Sequence, residues 1–354
     1  MWPIVVILIV LAAVDENCAR IQAPKSDIGS FAQTDTLHTF GPDKYYRYED
    51  QLNFLHAAAR YIPWNAQMFH VGKSAEGRDI KGIQIAKPTK SIKWMVWLDA
   101  GVHAREWIAH ATSLHVIWAL LTQSTEPDVS QILDMAQLHI VPNANPDGYE
   151  YSWTQGRRLW RKTRGRRGQA CRLSSGRCCG VDFNRNFPFK WGGSGSSSNP
   201  CSDIYRGPHP LSEPETSAYA AKVLELQSQS KINLFLTLHS YGRKLLVPYG
   251  YARGSYAPNF TEMMHVAKAA SESMTETFGH RYTVRHSAKL YLASGTSGDW
   301  AKSLGIPYVY TVELRPRGGV SVLYGFRTPA SEASKCGKEL LNGLKRMLLE
   351  ISKK

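Results

Sequence analysis

The segment WMVWLDAGVHARE, residues 94–106, joins an apolar run to a cluster of polar and charged side chains. Its first six residues, Trp94 to Asp99, are typical of a buried strand, and His103 and Glu106 follow closely. From Glu106 to Leu121 the apolar residues recur at helical spacing. Because a buried strand that leads directly into a helix is the repeating unit of α/β proteins, this segment predicts that fold class.

The same alternation of strands and helices continues along the chain. Apolar runs that predict buried strands cover 138–141, 233–238 and 308–314, and helical spacing covers 213–226, 261–277 and 330–351. No internal repeat and no linker interrupt the pattern after residue 38. We therefore predict a single α/β domain over 38–354, with a central mixed, twisted β-sheet flanked by helices.

Composition limits the classes of protein to which the chain can belong. Its 354 residues are 43% hydrophobic and 20% charged, which excludes a disordered chain. No apolar stretch reaches the roughly 18 residues that span a bilayer, so we expect no membrane span. The formal net charge of +14 favours contact with polyanions such as nucleic acid or sulfated glycan.

The N-terminus and the cysteines predict an extracellular protein. The apolar run from Ile4 to Val14 has the length of a secretory signal, although no Lys or Arg precedes it. We expect a signal peptide over 1–19, with an uncertain cleavage site, and a short leader over 20–37. Of the six cysteines, four lie at 171, 178, 179 and 201, a cluster that indicates disulfides in a secreted chain. The cluster alone leaves their pairing open.

Three predicted strands end in residues that carry chemistry. His103 and Glu106 follow the first strand, while His239 and Glu313 follow two others. In such sheets ligands bind beyond the carboxyl ends of the strands. Two histidines and one carboxylate, with a fourth position left for water, are the ligands of a catalytic zinc, and Glu313 is then the candidate proton acceptor. An H-x-x-E pair is common by chance, and His239 alone is equally consistent with a structural histidine.

Eight motifs give this zinc hypothesis its context. They read GVHAREWI at 101–108, RRLWRKTR at 157–164, CCGVDFNRNF at 178–187, PCSDIYRG at 200–207, LHSYG at 238–242, PYGY at 248–251, YLASGTSGDW at 291–300 and YTVELR at 310–315. In this order they resemble the secreted metallocarboxypeptidases of the pancreatic carboxypeptidase A/B type, and the similarity runs from about residue 38 to the C-terminus. The resemblance implies a zinc enzyme that removes single residues from peptide or protein C-termini.

The resemblance also implies a role for each matching residue. The zinc ligands would be His103, Glu106 and His239, with Asp182 as the partner of His103. Glu313 would be the general base and acid, and Arg161 would stabilise the oxyanion. The groups that hold the substrate's terminal carboxylate would be Asn184, Arg185 and Tyr291, with Arg105 and Tyr241 in the next subsites outward. The family disulfide maps onto Cys178 and Cys201, and Cys171 with Cys179 is one candidate for a second pair.

Gly298 is the informative departure from the family pattern. At this position an acid accompanies preference for C-terminal Lys or Arg, and a large aliphatic residue accompanies apolar preference. The other matching wall positions are Leu246, Gly250, His286, Leu290, Ala293 and Thr311. Since none of these is acidic, a basic end is disfavoured, and we expect preference for aromatic or large aliphatic C-terminal residues. His286 and nearby Lys289 leave an acidic end open.

Two further departures lead to separate expectations. Residues 20–37 are too few for a globular prosegment, so we expect no zymogen step. The stretch 157–177 is rich in arginine and is consistent with either a solvated loop or a site for sulfated glycan or another polyanion. We expect a monomer. The alternative function is a secreted polyanion-binding protein on an inactive peptidase fold, which predicts loss of a zinc ligand or of Glu313; none is lost.

Overall fold

A computed structural model describes residues 25–61, 66–87, 93–165, 171 and 178–353. The expected signal peptide over 1–19 lies outside these residues. Most of the basic stretch after residue 165 also lies outside them, so both interpretations of that stretch, a solvated loop and a polyanion site, concern residues outside the described structure. Within the described part, no helix is both long and apolar enough to cross a membrane.

A mixed β-sheet of eight strands forms the centre of the described domain. The strands are β1 (Ala66–Lys73), β2 (Asp79–Ile85), β3 (Trp94–Ala100), β4 (Ala136–Val141), β5 (Leu234–His239), β6 (Lys244–Val247), β7 (Thr283–His286) and β8 (Tyr308–Glu313). Their order across the sheet is β1-β2-β4-β3-β5-β8-β6-β7. The central strands β4, β3, β5 and β8 run parallel, whereas β2 and β6 join this group antiparallel.

Helices cover both faces of the sheet. Those in the described residues are α1 (Tyr48–Tyr61), α2 (Trp107–Thr122), α3 (Pro127–Met135), α4 (Pro146–Ser152), α5 (Pro214–Ser230), α6 (Phe260–Phe278), α7 (Ser297–Ser303), α8 (Val322–Phe326) and α9 (Ala333–Ser352). The buried side chains of α2, α6 and α9 join the larger apolar cluster, and those of α5 and α7 join a second cluster. This architecture confirms the predicted α/β class.

The residues expected to form a short leader pack against this domain from residue 25 onward. Phe31 and Leu37 are 1% and 0% exposed and belong to the larger apolar cluster. The Asp27 carboxylate accepts a hydrogen bond from the Ala330 backbone N–H at 3.2 Å. Because the burial of two large apolar side chains stabilises their attachment, residues 25–37 pack as part of the described structure.

Two disulfides tie the cysteine cluster together. Cys171 pairs with Cys179, and Cys178 pairs with Cys201. The adjacent cysteines therefore close onto different partners, as the family resemblance implied. The second bond holds the segment around residue 201 against the segment that leads into Asp182, and Asp203 and Ile204 of the first segment line the cleft described below.

Candidate active site

Three neighbouring parallel strands bring the candidate zinc ligands and Glu313 to one edge of the sheet. The loop after β3 carries His103 and Glu106, β5 ends at His239, and β8 ends at Glu313. His239 and Glu313 are direct partners in the β5–β8 register. Parallel strands place their carboxyl ends side by side, so residues separated by up to 210 positions in the sequence meet in one cleft of about 590 Å³.

The side chains of His103, Glu106 and His239 converge on one point. The Nδ1 atoms of the two histidines are 3.1 Å apart, and the Glu106 oxygens lie 2.8 Å from His103 Nδ1 and 3.0 Å from His239 Nδ1. All three residues are buried, at 3% exposure or less. Two imidazole nitrogens and a carboxylate oxygen within 4.8 Å of one another form the donor set that zinc prefers. The residues therefore fit a zinc ion.

Buried partners hold these candidate ligands in place. His103 Nε2 lies 3.2 Å from Asp182 Oδ1, so a proton on Nε2 is shared with the carboxylate and the Nδ1 lone pair points to the cleft. Glu106 Oε2 also accepts a hydrogen bond from the Ser240 backbone N–H at 3.1 Å. Burial raises the pKa of Asp182, but the charges of Arg161, Arg185 and His103 outweigh it and hold that pKa well below the ordinary value.

Glu313 lies beside this group with its carboxylate facing the cleft. Its side chain is 7% exposed, and it has no hydrogen-bond partner among the described residues. Burial raises the pKa of Glu313 to about 7; the negative charge of Glu106 acts in the same direction, whereas His239, Lys244 and Arg161 oppose it. An unshared carboxylate with a pKa near neutrality can both accept and release a proton, which is the requirement for general acid–base chemistry.

Arg161 extends from the opposite wall and is fixed by Asp182. Its Nε and Nη2 donate to Asp182 Oδ2 at 3.0 Å and 2.9 Å, and its Nη1 lies 3.9 Å from Glu106 Oε1. The two hydrogen bonds orient the planar guanidinium so that its remaining edge faces the cleft. Asp182 thus positions one candidate zinc ligand and one cation with a single carboxylate.

Asn184, Arg185 and Tyr291 lie together where the cleft narrows into a side pocket. Arg185 Nε donates to the Gly195 carbonyl and its Nη1 donates to the Asn184 carbonyl, both at 2.7 Å. The Arg185 guanidinium carbon is 5.9 Å from the ring centre of Tyr291, which is 51% exposed. Two fixed polar groups and an exposed tyrosine can receive the carboxylate at a peptide C-terminus.

The side pocket includes most of the wall positions that the sequence indicated. Leu246, Gly250, Leu290, Ala293, Gly298 and Thr311 line it. His286 does not: its Nε2 donates to the Ser255 carbonyl at 2.9 Å, and its ring packs against Tyr256 and Phe260. The expectation that His286 forms part of the wall is therefore wrong, because a neighbouring loop takes up its polar atom.

Asp299 lines the same pocket, which sequence reasoning missed. The Gly250 N–H lies 2.9 Å from both of its carboxylate oxygens, and the Tyr251 N–H donates to Oδ2 at 3.0 Å. Burial raises the pKa of Asp299 to about 7, against the effect of these hydrogen bonds. Gly298 has no side chain to cover the floor beside it. The motif GTSGDW contains this acid but does not show which way it points.

Arg105 and Tyr241 line the outer part of the cleft, as the resemblance implied. Arg105 Nη1 donates to Asp203 Oδ2 at 2.9 Å, and its guanidinium lies 4.5 Å from the ring centre of Phe326. The Tyr241 hydroxyl donates to the Val320 carbonyl at 3.3 Å. Sequence analysis did not identify Phe326 or Asp203 as cleft residues, because neither lies at the end of a predicted strand.

Comparison with known proteins identifies the family. The sequence model of the zinc carboxypeptidase family matches residues 52–343. The chain belongs to the zinc carboxypeptidase family. This match confirms the resemblance inferred from the eight motifs, and zinc is the metal of that family. Its members are metallocarboxypeptidases, and the residues expected at the metal and the general-base positions are present and adjacent in this chain.

Individual relatives agree with this assignment. Carboxypeptidase A6 of Mus musculus is 36% identical over 323 residues, which cover 90% of this chain and 70% of the relative. Carboxypeptidase A2 of Mus musculus is 39% identical over 284 residues, which cover 80% of this chain and 64% of the relative. The crystal structure of thrombin-activatable fibrinolysis inhibitor superposes with a TM-score of 0.84 at 31% identity, covering 96% of this chain and 80% of that one.

Proposed function

We propose that this protein is a secreted, zinc-dependent carboxypeptidase that hydrolyses the last peptide bond of peptides or proteins. The observation that carries the proposal is the juxtaposition of the His103–Glu106–His239 group with the unshared carboxylate of Glu313. The two disulfides and the apolar run at the N-terminus support secretion. His103, Glu106 and His239 would hold the zinc ion, which supplies a Lewis acid that polarises the scissile carbonyl and acidifies a water.

The other residues of the cleft bind the substrate's terminal carboxylate, transfer the proton and stabilise the developing negative charge. Arg185, Asn184 and Tyr291 bind the terminal carboxylate, which selects the end of a chain over an internal bond. Glu313 accepts a proton from the attacking water and delivers it to the nitrogen of the departing residue. Arg161 faces the carbonyl oxygen on which negative charge develops, and Asp182 keeps its guanidinium in that orientation.

The side pocket favours aromatic or large aliphatic C-terminal residues. Leu246, Leu290 and Ala293 supply an apolar wall, and the absence of a side chain at Gly298 leaves depth for a ring. Asp299 is the one described feature that favours a basic end. Its oxygens already accept hydrogen bonds from the backbone, and its raised pKa reduces its negative charge near neutrality. We therefore expect Asp299 to influence the choice of C-terminal residue less than the apolar wall does.

The proposal is tested with the zinc-loaded protein and N-blocked dipeptides that end in Phe, Leu, Glu, Lys or Arg. We expect release of the last residue, inhibition by a zinc chelator, and the highest kcat/KM for Phe or Leu. The substitution Glu313→Gln removes the proton acceptor without changing side-chain size, so kcat/KM should fall by roughly 10²–10⁴. Zinc content should stay unchanged, because Glu313 is outside the ligand group.

Glu272→Gln is the matched control, since Glu272 is an exposed residue of α6. It should leave kcat/KM unchanged. Retention of full activity by the Glu313 variant, or release of no residue from any dipeptide by a protein that holds zinc, would contradict the proposed function. Highest activity on Lys or Arg would leave the reaction intact and assign the specificity to Asp299.

A further inference from the structure

Lys244 continues the row of active-site residues across the sheet. It is the first residue of β6, and in the β6–β8 register it lies directly opposite Glu313. On the other side of Glu313, the register partner in β5 is His239. The order across three adjacent strands is therefore candidate zinc ligand, general base, lysine. Sequence analysis did not single out Lys244, because it begins a strand of only four residues.

The ammonium of Lys244 has a single hydrogen-bond partner in the described structure. Its Nζ donates to the Gly242 carbonyl at 3.0 Å, and no described carboxylate forms an ion pair with it. The other cations beside the candidate zinc site differ in this respect, since Arg105 pairs with Asp203 and Arg161 pairs with Asp182. Because Lys244 is half-buried on the cleft wall, its two other donors are open to water or to a ligand that enters the cleft.

Two glycines make room for this ammonium in the cleft wall. A Cβ atom at Gly242 would lie 2.7 Å from Lys244 Nζ, and one at Gly318 would lie 2.8 Å from it. Lys244, Tyr241 and Gly318 all line the cleft that contains Glu313. The ammonium thus lies in a niche beside two glycines that opens into this cleft.

Two arginines, Arg243 and Arg285, place further positive charge near Lys244. Burial lowers the pKa of Lys244, as do the charges of Arg285 and Arg243, whereas Glu313 raises it. Arg285 is exposed on β7, where it pairs with Leu246 of β6. Leu246 lines the pocket for the last side chain and is two residues from Lys244 on the same face of the strand. The lysine therefore lies two residues, about 7 Å, along β6 from the part of that pocket formed by Leu246.

We propose that Lys244 binds the carboxylate of an acidic side chain at the penultimate position of the substrate. This inference rests on the proposed function, because it takes the scissile bond to lie between the candidate zinc ligands and Glu313. The penultimate residue supplies the carbonyl that is attacked, so its side chain lies next to this row. An incoming Glu or Asp carboxylate would occupy the unused donors of Lys244 and reduce its repulsion with Arg243 and Arg285.

Binding to a catalytically inactive protein tests the inference without relying on turnover. The probes are fluorescein-labelled Gly-Glu-Phe and Gly-Gln-Phe, and the same pair ending in Lys, titrated with zinc-loaded Glu313→Gln protein and followed by anisotropy. Glu and Gln have the same size, so their comparison isolates the charge. We expect about two- to fivefold tighter binding of the Glu peptide, with the difference shrinking as salt is added.

Substitutions of Lys244 in the Glu313→Gln protein test whether this lysine causes the difference in affinity between the Glu and Gln peptides. Lys244→Met, of similar length and without charge, should abolish the difference between Glu and Gln, and Lys244→Arg should retain part of it. Lys268→Met, which changes an exposed residue of α6 by the same charge, should leave it unchanged. Three outcomes would each overturn the inference. They are equal binding of the two peptides to the Glu313→Gln protein, no binding of either peptide to it, or a preference for the Glu peptide that persists in the Lys244→Met variant.

Steady-state kinetics of proteins that retain Glu313 distinguish the binding of an acidic side chain by Lys244 from an effect of Lys244 on the general base. If Lys244→Met lowers kcat/KM equally for blocked Ala-Phe, Gln-Phe and Glu-Phe, then Lys244 acts through Glu313 and the inference is wrong. A selective loss on Glu-Phe supports it. If the wild-type protein hydrolyses none of these peptides while the binding preference depends on Lys244, the proposed function fails and the binding role of Lys244 stands.

Discussion

At the scale of single residues, the Asp182 carboxylate connects a candidate zinc ligand, a cation and the backbone beside them. Its carboxylate contacts His103 Nε2 and Arg161, and it caps the short turn that begins at Phe183 by accepting from the Asn184 backbone N–H. Removing its charge should therefore affect metal binding before it affects the fold. The negative charge increases the basicity of His103, whose other nitrogen faces the candidate metal position.

We predict that Asp182→Asn weakens zinc binding by about 10- to 100-fold while the protein stays folded. Zinc affinity is measured by competition with a chromophoric chelator, and folding by circular dichroism. Asp203→Asn is the matched control, because Asp203 contacts Arg105 at the exposed rim and not a candidate ligand. Equal zinc affinity in wild type and Asp182→Asn would show that this carboxylate does not tune the ligand.

The sequence predicted much of this site at the residue level, for a physical reason. His103, Glu106, His239 and Glu313 follow apolar runs that form central strands, and parallel strands bring such residues together whatever their separation in the chain. Lys244 and Asp299 were missed because their importance depends on orientation. Lys244 is significant through its register with Glu313, and Asp299 through the lack of a side chain at Gly298. Neither property is visible in the sequence pattern.

At the scale of elements, strands were predictable where burial is continuous, and helices where apolar residues recur at helical spacing. The runs at 94–99 and 308–314 correspond to β3 and β8, which are buried along almost their whole length. The outer strands β1, β2, β6 and β7 were missed, since burial along β1 and β2 is irregular, and β6 and β7 have four residues each. The outer strands on both sides of the sheet were therefore identified only from the structure.

The contact between α2 and α9 gives a prediction at this scale. Helix α2 is buried on nearly all sides, so α9 must approach it closely, and Gly337 of α9 faces the ring of His115. A Cβ atom at Gly337 would lie 2.0 Å from His115 Cδ2. We predict that Gly337→Ala lowers the free energy of unfolding by about 1–3 kcal/mol, despite the better helix propensity of alanine.

Urea denaturation of the zinc-loaded protein measures this effect. Lys338→Ala is the control, because it changes the adjacent, exposed position of the same helix and creates no contact with α2. A Gly337→Ala protein as stable as the wild type would mean that the two helices can separate without cost, and the close packing would then not contribute to stability.

At the scale of the whole molecule, buried carboxylates link folding to pH. Glu215, in the first turn of α5, is completely buried; its Oε1 accepts from the Ala75 N–H at 2.8 Å, and its Oε2 has no hydrogen-bond partner among the described residues. Burial raises the pKa of Glu215 to about 7, and the nearby carboxylates of Glu213 and Asp147 act in the same direction. In the unfolded chain the pKa of a glutamate is about 4.3.

The sign of the linkage follows from these two values. Between about pH 4.3 and pH 7 the folded protein keeps a proton on Glu215 that the unfolded chain releases, so this residue's contribution to stability is lost as pH rises through that window. Glu215→Gln mimics the protonated form at every pH. We predict that the stability of this variant relative to wild type increases by about 2 kcal/mol from pH 5 to pH 8.

Guanidinium denaturation at the two pH values measures this change in relative stability, with the exposed Glu225→Gln of the same helix as control. A relative stability of Glu215→Gln that is the same at both pH values would show that Glu215 is ionised in the folded protein, and the unpaired Oε2 would then need a partner outside the described residues.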